Sequence, residues 1–397
     1  MKKIFSEKNK CLLIGITFVT VLLIKLLLVI NACPARSLRD ESGALATGAF
    51  FAGYDWSNVM QYNDYYGGGA TIWLAPLIRI FHAHPVILYK VIIAVYCICE
   101  SLIAIITFKI LVRFFKIKNL FFVFLCSIAL NFLTFAPTVT VMNEAPYRLG
   151  TWLIILTLFY LVDSETLRKK FTILLFVEIA WICTLHTRGT VFIYAVILVT
   201  VIYYILERKQ LFNFKLGILF IPIYLLANLF NTFVQQNVWM AGEGEVLNNT
   251  SVVFQMGISS LFKYENLRAI LAIVTSQLMT INLYSFGLFS FCIIGAIGFM
   301  WEYVKSKRKS SGIDYDKESY KYLPILLVII AVLCATEIAF LSNWGYNLGM
   351  LFADETGDVY FTKALTYLRY HSPYIALLVM FGVSWIANSF LKKPWIL

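Results

Sequence analysis

Apolar runs of about 20 residues recur along nearly the whole of this 397-residue chain. That is the length a helix needs to cross a hydrocarbon core. In lipid, only helices and closed barrels satisfy every backbone N–H and C=O. The runs lack the period-two alternation of barrel strands. The pattern therefore predicts an all-α, polytopic membrane bundle of about ten spans, near 11–32, 85–112, 119–136, 146–162, 171–187, 189–206, 211–230, 284–303, 323–341 and 373–391. Two shorter apolar stretches, near 70–81 and 268–280, read as interfacial or re-entrant helices. Composition agrees: 60% of residues are hydrophobic and 14% charged, against roughly a quarter charged in soluble domains.

Basic residues set the expected orientation. Lys2, Lys3, Lys8 and Lys10 precede the first span, and Arg113, Lys116 and Lys118 follow the second. Arg168, Lys169 and Lys170 follow the fourth, Lys305, Lys307, Arg308 and Lys309 the eighth, and Lys392 and Lys393 the last. Lys and Arg accumulate on the cytoplasmic side of membrane proteins, so both termini are expected there, in the cell membrane. The net charge of +11 then reflects an anionic leaflet and its lipids rather than nucleic acid. The long polar loops, about 33–84, 137–145, 231–283 and 342–372, fall outside, in a single domain spanning 1–397.

Several function classes drop out. The short cytoplasmic loops leave no room for a nucleotide-binding domain, and Gly67-Gly68-Gly69 is not a Walker or Rossmann pattern. Cysteines lie mostly in apolar runs, where they behave as small hydrophobes, and Cys97 and Cys99 lack zinc or redox spacing. No cofactor is certain from the residues; a divalent metal stays open, without a clean second DxD-type acidic pair to support it. Ile30–Cys33 faintly matches a lipoprotein cleavage site, but retention as the first span fits the remaining topology better.

The first outer loop carries the densest chemistry. Arg39-Asp40-Glu41 precedes a small-residue helix over Gly43–Phe51, which Asp40 or Ser42 is placed to cap. Tyr54-Asp55-Trp56 and Asp64-Tyr65-Tyr66-Gly67-Gly68-Gly69 follow. Two adjacent carboxylates at a membrane surface suit general-base work; a helix cap with solvated charge is the plainer alternative. Glu144, just before Pro146, is either a second acid or another cap, with Arg148 neutralising it. Arg188 in His186-Thr187-Arg188-Gly189, and Arg369 in Tyr367-Leu368-Arg369-Tyr370, either snorkel to headgroups or bind a phosphate. Lys25, Glu100, Glu178 and Glu337 sit inside spans, where ionisable residues are functional or paired within the bundle.

Taken in order, these pieces resemble the GT-C superfamily of membrane glycosyltransferases, in particular the bacterial branch related to protein O-mannosyltransferases. Asp40-Glu41 resembles the acidic motif after the first span, Gly43–Phe51 with Tyr54-Asp55-Trp56 the outer jaw segment, and Tyr65–Gly69 running to Ala75-Pro76 the approach to the second span. Asn143-Glu144-Ala145-Pro146 resembles the second-loop acid, Arg188-Gly189 the arginine between two spans, and Arg369-Tyr370 the C-terminal Arg-Tyr. The chain departs from the family in its shortness and in lacking a large C-terminal soluble domain; 231–283 matches no part of the pattern. The resemblance implies inverting transfer of a sugar from a polyprenyl-phosphate donor to an extracytoplasmic glycan, lipid or protein. Asp40 would be the general base, with Glu41 and Glu144 orienting the substrates. Arg369, with Arg188, would hold the lipid phosphate, and Tyr66 and Trp56 would stack on sugar rings.

Two alternatives remain. An O-antigen-type polymerase or ligase would carry a large, late outer loop rich in Arg and His, whereas 342–372 holds only Lys363, Arg369 and His371 as basic residues. A transporter or lipid flippase would show internal repeats and broken helices. No repeat is evident, although Glu100 and Glu178 fit that class.

Overall fold

Proline positions explain where several helices begin. A proline lacks the N–H that helix interiors need, but the first turn has no use for it. Pro76, Pro85, Pro146 and Pro222 all lie in first turns, those of helices Ala75–Phe81, Pro85–Arg113, Glu144–Asp163 and Phe220–Asn237. The computed structural model describes residues 9–31, 38–56, 72–132, 144–185, 189, 191–212, 218–238, 279, 282, 287–308, 320–334 and 374–389; among these there is no strand.

In chain order the helices are α1 Lys10–Val29, α2 Leu38–Phe51, α3 Ala75–Phe81 (entered through a 3-10 turn at Ile72–Leu74), α4 Pro85–Arg113, α5 Leu120–Phe132 and α6 Glu144–Asp163. They continue as α7 Arg168–Leu185, α8 Val191–Glu207, α9 Phe220–Asn237 and α10 Leu288–Arg308, then α11 Leu323–Cys334 and α12 Tyr374–Ser389. Three of them, α1, α4 and α6, are long and apolar enough to cross a membrane. The predicted spans thus recur as helices, with shifted ends. α9 starts at Phe220 rather than near 211, because Pro222 fits only its first turn, and it runs on through polar residues to Asn237. The apolar helix expected near 268–280 lies outside the described residues, apart from 279.

The burial pattern is the reverse of a soluble helix. On α1 the buried stripe is Leu13, Thr17, Val21, Lys25 and Val29, one residue per turn. Its exposed face is Leu12, Ile16, Val19, Leu23 and Leu27. α10 likewise exposes Phe291, Ile294, Ile297, Trp301 and Val304. Contiguous exposed apolar faces of this extent mark a partner surface or a membrane.

The chain folds as two compact units, residues 1–131 with 137–246, and 132–136 with 247–397. In the first, α1, α3, α4 and the start of α6 share a core of Val29, Leu74, Ala75, Ile78, Tyr89, Ile92, Ile93, Tyr96, Cys97 and Ala145, with Leu45 and Ala52 of the α2 segment packed into it. Another side of α2 meets α9, where Ala46 joins Val234 and Val238 and the Phe50 and Phe233 rings lie 6.4 Å apart. Gly189 lies so close to α7 that an added Cβ would strike the Ile182 carbonyl and stand 2.8 Å from the Cys183 Cα. In the second unit α10 and α12 cross at glycines. A Cβ on Gly382 would collide with the Cys292 carbonyl, and one on Gly295 would stand 2.6 Å from the Gly382 carbonyl oxygen. Small residues let helices approach this closely in membranes.

Candidate functional site

A charge cluster lies in the interior of the first unit. The Glu100 carboxylate, wholly buried on α4, stands between two cations from other helices. Lys25 Nζ of α1 is 3.7 Å from one oxygen, and Arg148 Nη1 of α6 is 3.1 Å from the other. Lys25 and Arg148 are only 3% and 1% exposed. Asn131, near the end of α5, donates a 2.6 Å hydrogen bond from Nδ2 to the Glu100 backbone carbonyl. α1, α5 and α6 are thus tied to one residue of α4. Isolated charges at this depth would be prohibitively costly, which is why they meet.

One turn away, Tyr96 and Cys97 of α4 share a core with Ala145 at the start of α6. Three to four residues further along both helices come Glu100 and Arg148. The two levels therefore show α4 and α6 running side by side in one direction. Among the described residues, the Tyr96 hydroxyl, the Trp152 indole N–H and Arg148 Nε and Nη2 meet no hydrogen-bond acceptor. Both Glu100 carboxylate oxygens and Asn131 Oδ1 likewise accept no hydrogen bond there, so the cluster is held by charge pairing rather than by a closed hydrogen-bond network.

A second buried acid, Glu178 on α7, accepts a 3.0 Å hydrogen bond from the Thr157 hydroxyl on α6. Glu100 and Lys25 were expected either to be functional or to be paired within the bundle, and the structure pairs them. Arg148, read as the neutraliser of neighbouring Glu144, sends its guanidinium to Glu100.

The sequence-derived site residues fall as follows. Asp40 and Glu41 are the third and fourth residues of α2, which begins at Leu38 rather than Gly43. They sit in its first turn instead of capping it, and acidic residues suit that end of a helix. Glu144 occupies the first turn of α6. Leu45 of α2 and Ala145 of α6 enter the same core, and Glu41 is about 6 Å from Leu45 along the helix axis. Trp56 is half-buried, packed against the Ala46–Val234–Val238 cluster that joins α2 to α9. Nearby, the Tyr54 and His82 rings lie 5.2 Å apart. Tyr66, Arg188, Glu337, Arg369 and Tyr370 lie outside the described residues. Among the described residues no group of three His, Cys, Asp or Glu side chains is placed to hold a metal ion.

The fold and site define a class in physical terms: an all-helical protein with three helices able to cross a membrane and a buried ionic cluster in its larger helical unit. No family model, curated protein or solved structure matches the chain.

Proposed function

We propose that this chain is a polytopic cell-membrane glycosyltransferase of GT-C type. It crosses the membrane about ten times with both termini in the cytoplasm, and α2 and α3 lie at the outer face. It transfers a sugar from a polyprenyl-phosphate donor to an extracytoplasmic acceptor with inversion. Asp40 is the general base toward the acceptor hydroxyl, and Glu41 and Glu144 orient the substrates. The observation that carries this reading is the shared core of α2 and the start of α6, which gathers two acid-bearing segments from separate loops at one end of the bundle. The Lys25–Glu100–Arg148 cluster supports it by anchoring α6 directly below Glu144.

Purified protein in liposomes, given a panel of polyprenyl-phosphate sugars and acceptor lipids, tests the proposal. Asp40→Asn is expected to lower transfer by about a hundred- to ten-thousandfold, the usual share of general acid–base catalysis, with expression unchanged. A wild-type rate in that variant would remove Asp40 from the mechanism. A second reading, a proton-coupled transporter, is favoured by Glu178, a buried acid within an apolar helix. Solute uptake in the same liposomes, without sugar transfer, would establish it instead.

A further inference from the structure

The end of the first unit opposite α2 gathers two short turns that lie about forty residues apart in sequence. Ser164–Leu167 joins α6 to α7, and Arg208–Gln210 follows α8. Arg208 has a left-handed backbone, φ 55°, which ends α8 and turns the chain back. Arg168 clamps the junction: Nη1 donates 3.1 Å to the Gln210 carbonyl, and Nε donates 3.4 Å to the Leu161 carbonyl at the close of α6. Glu165 lies 3.6 Å from Arg168 and 3.5 Å from Lys209. Tyr203 sits within electrostatic reach of Arg168, Glu207, Lys209 and Glu165.

Arg168, Lys169, Lys170, Arg208 and Lys209 gather at these turns with the acids Glu165, Glu207 and Asp163, the last of which lies 3.8 Å from Arg113 of α4. Arg168 and Lys209 spend their charge on Glu165. Lys169, Lys170 and Arg208 are exposed, and no ion-pair partner for them occurs among the described residues. Directly along the helices from them, Leu167, Ile173, Leu174, Tyr204 and Ile205 are exposed apolar surface. Cations with apolar surface one turn away match an anionic headgroup with its acyl chains, and neither part alone would.

We propose that this junction is a binding site for an anionic phospholipid. Lys169, Lys170 and Arg208 hold the headgroup phosphate, and the exposed apolar residues of α7 and α8 receive the chains. The complementarity of charge and hydropathy selects a lipid over a soluble anion. The site is separate from the sugar-transfer reading and does not depend on it.

Native mass spectrometry of the detergent-solubilised full chain tests the site, with phosphatidylglycerol or phosphatidylcholine added at equal concentration. Phosphatidylglycerol should be retained preferentially. Lys169→Gln/Lys170→Gln/Arg208→Gln should weaken that retention by about a hundredfold, each cation near an anionic lipid being worth about fivefold. A charge-matched control, Lys2→Gln/Lys3→Gln/Lys8→Gln, should leave retention unchanged. Equal retention of the two lipids, equal loss in the control, or displacement of the lipid by inorganic phosphate would overturn the proposal.

Discussion

Glu100→Gln removes the one carboxylate that Lys25 and Arg148 share. Two buried cations would then lose the carboxylate that lies between them. Breaking a buried ion pair from one side costs about 3–5 kcal/mol. The variant is therefore expected to unfold at a markedly lower temperature in detergent, followed by loss of near-UV circular dichroism. Replacing the whole cluster, Lys25→Met with Glu100→Leu and Arg148→Met, removes every charge together and should recover most of that loss. If Glu100→Gln melts with the wild type, the cluster does not hold the helices. Part of this was legible in the sequence. Lys25 and Glu100 stand out because charges inside apolar runs must find partners. Arg148 was misleading for a local reason: Glu144 is four residues before it, the spacing at which helical side chains meet. Only the packing of α6 against α4 brings it to Glu100, and nothing in residue spacing encodes that packing.

Helices were the most legible elements, because length and apolar content are local properties and prolines mark their starts. Ends were less so. α2 was expected from Gly43 on its small residues, yet the helix takes in Asp40 and Glu41, since acids are comfortable in a first turn. α7 likewise begins inside the basic run read as a loop, at Arg168. The close crossing of α10 and α12 was not visible at all, since Gly295 and Gly382 are far apart in sequence. It yields a contrast between glycines. Gly382→Ala drives a Cβ into the Cys292 backbone, which cannot move as a side-chain tip could, and should cost about 1–3 kcal/mol. Gly15→Ala on α1 meets nothing within 4 Å and should be stabilising by up to about 1 kcal/mol, as alanine is the better helix former. Thermal melts of the two single variants check the order. A Gly382→Ala protein as stable as Gly15→Ala would mean that the two helices do not touch at these residues.

At the scale of the whole molecule, the first unit buries Lys25, Glu100 and Arg148 while α1 exposes Leu12, Leu23 and Leu27, and that inversion carries a topology. The Tyr96–Ala145 core contact and the Glu100–Arg148 pair make α4 and α6 run in one direction. The start of α4 and the junction between α6 and α7 must then lie on opposite sides of any membrane they cross. His84, just before α4, and Thr166, just after α6, are both exposed and report the two sides. In a background without native cysteines, His84→Cys is expected to react with a membrane-impermeant maleimide in intact cells. Thr166→Cys should react only after permeabilisation, because Arg168, Lys169 and Lys170 hold that junction on the cytoplasmic side. The two halves of the experiment bear on different claims. Labelling of both positions from one side would break the parallel pairing of α4 and α6, and with it the placement of Glu144 above the ionic cluster. Labelling of Thr166→Cys alone from outside would keep that pairing but turn the protein over. Asp40 and Glu41 would then face the cytoplasm, away from any extracytoplasmic acceptor, and the sugar-transfer proposal would fall while the bundle stood.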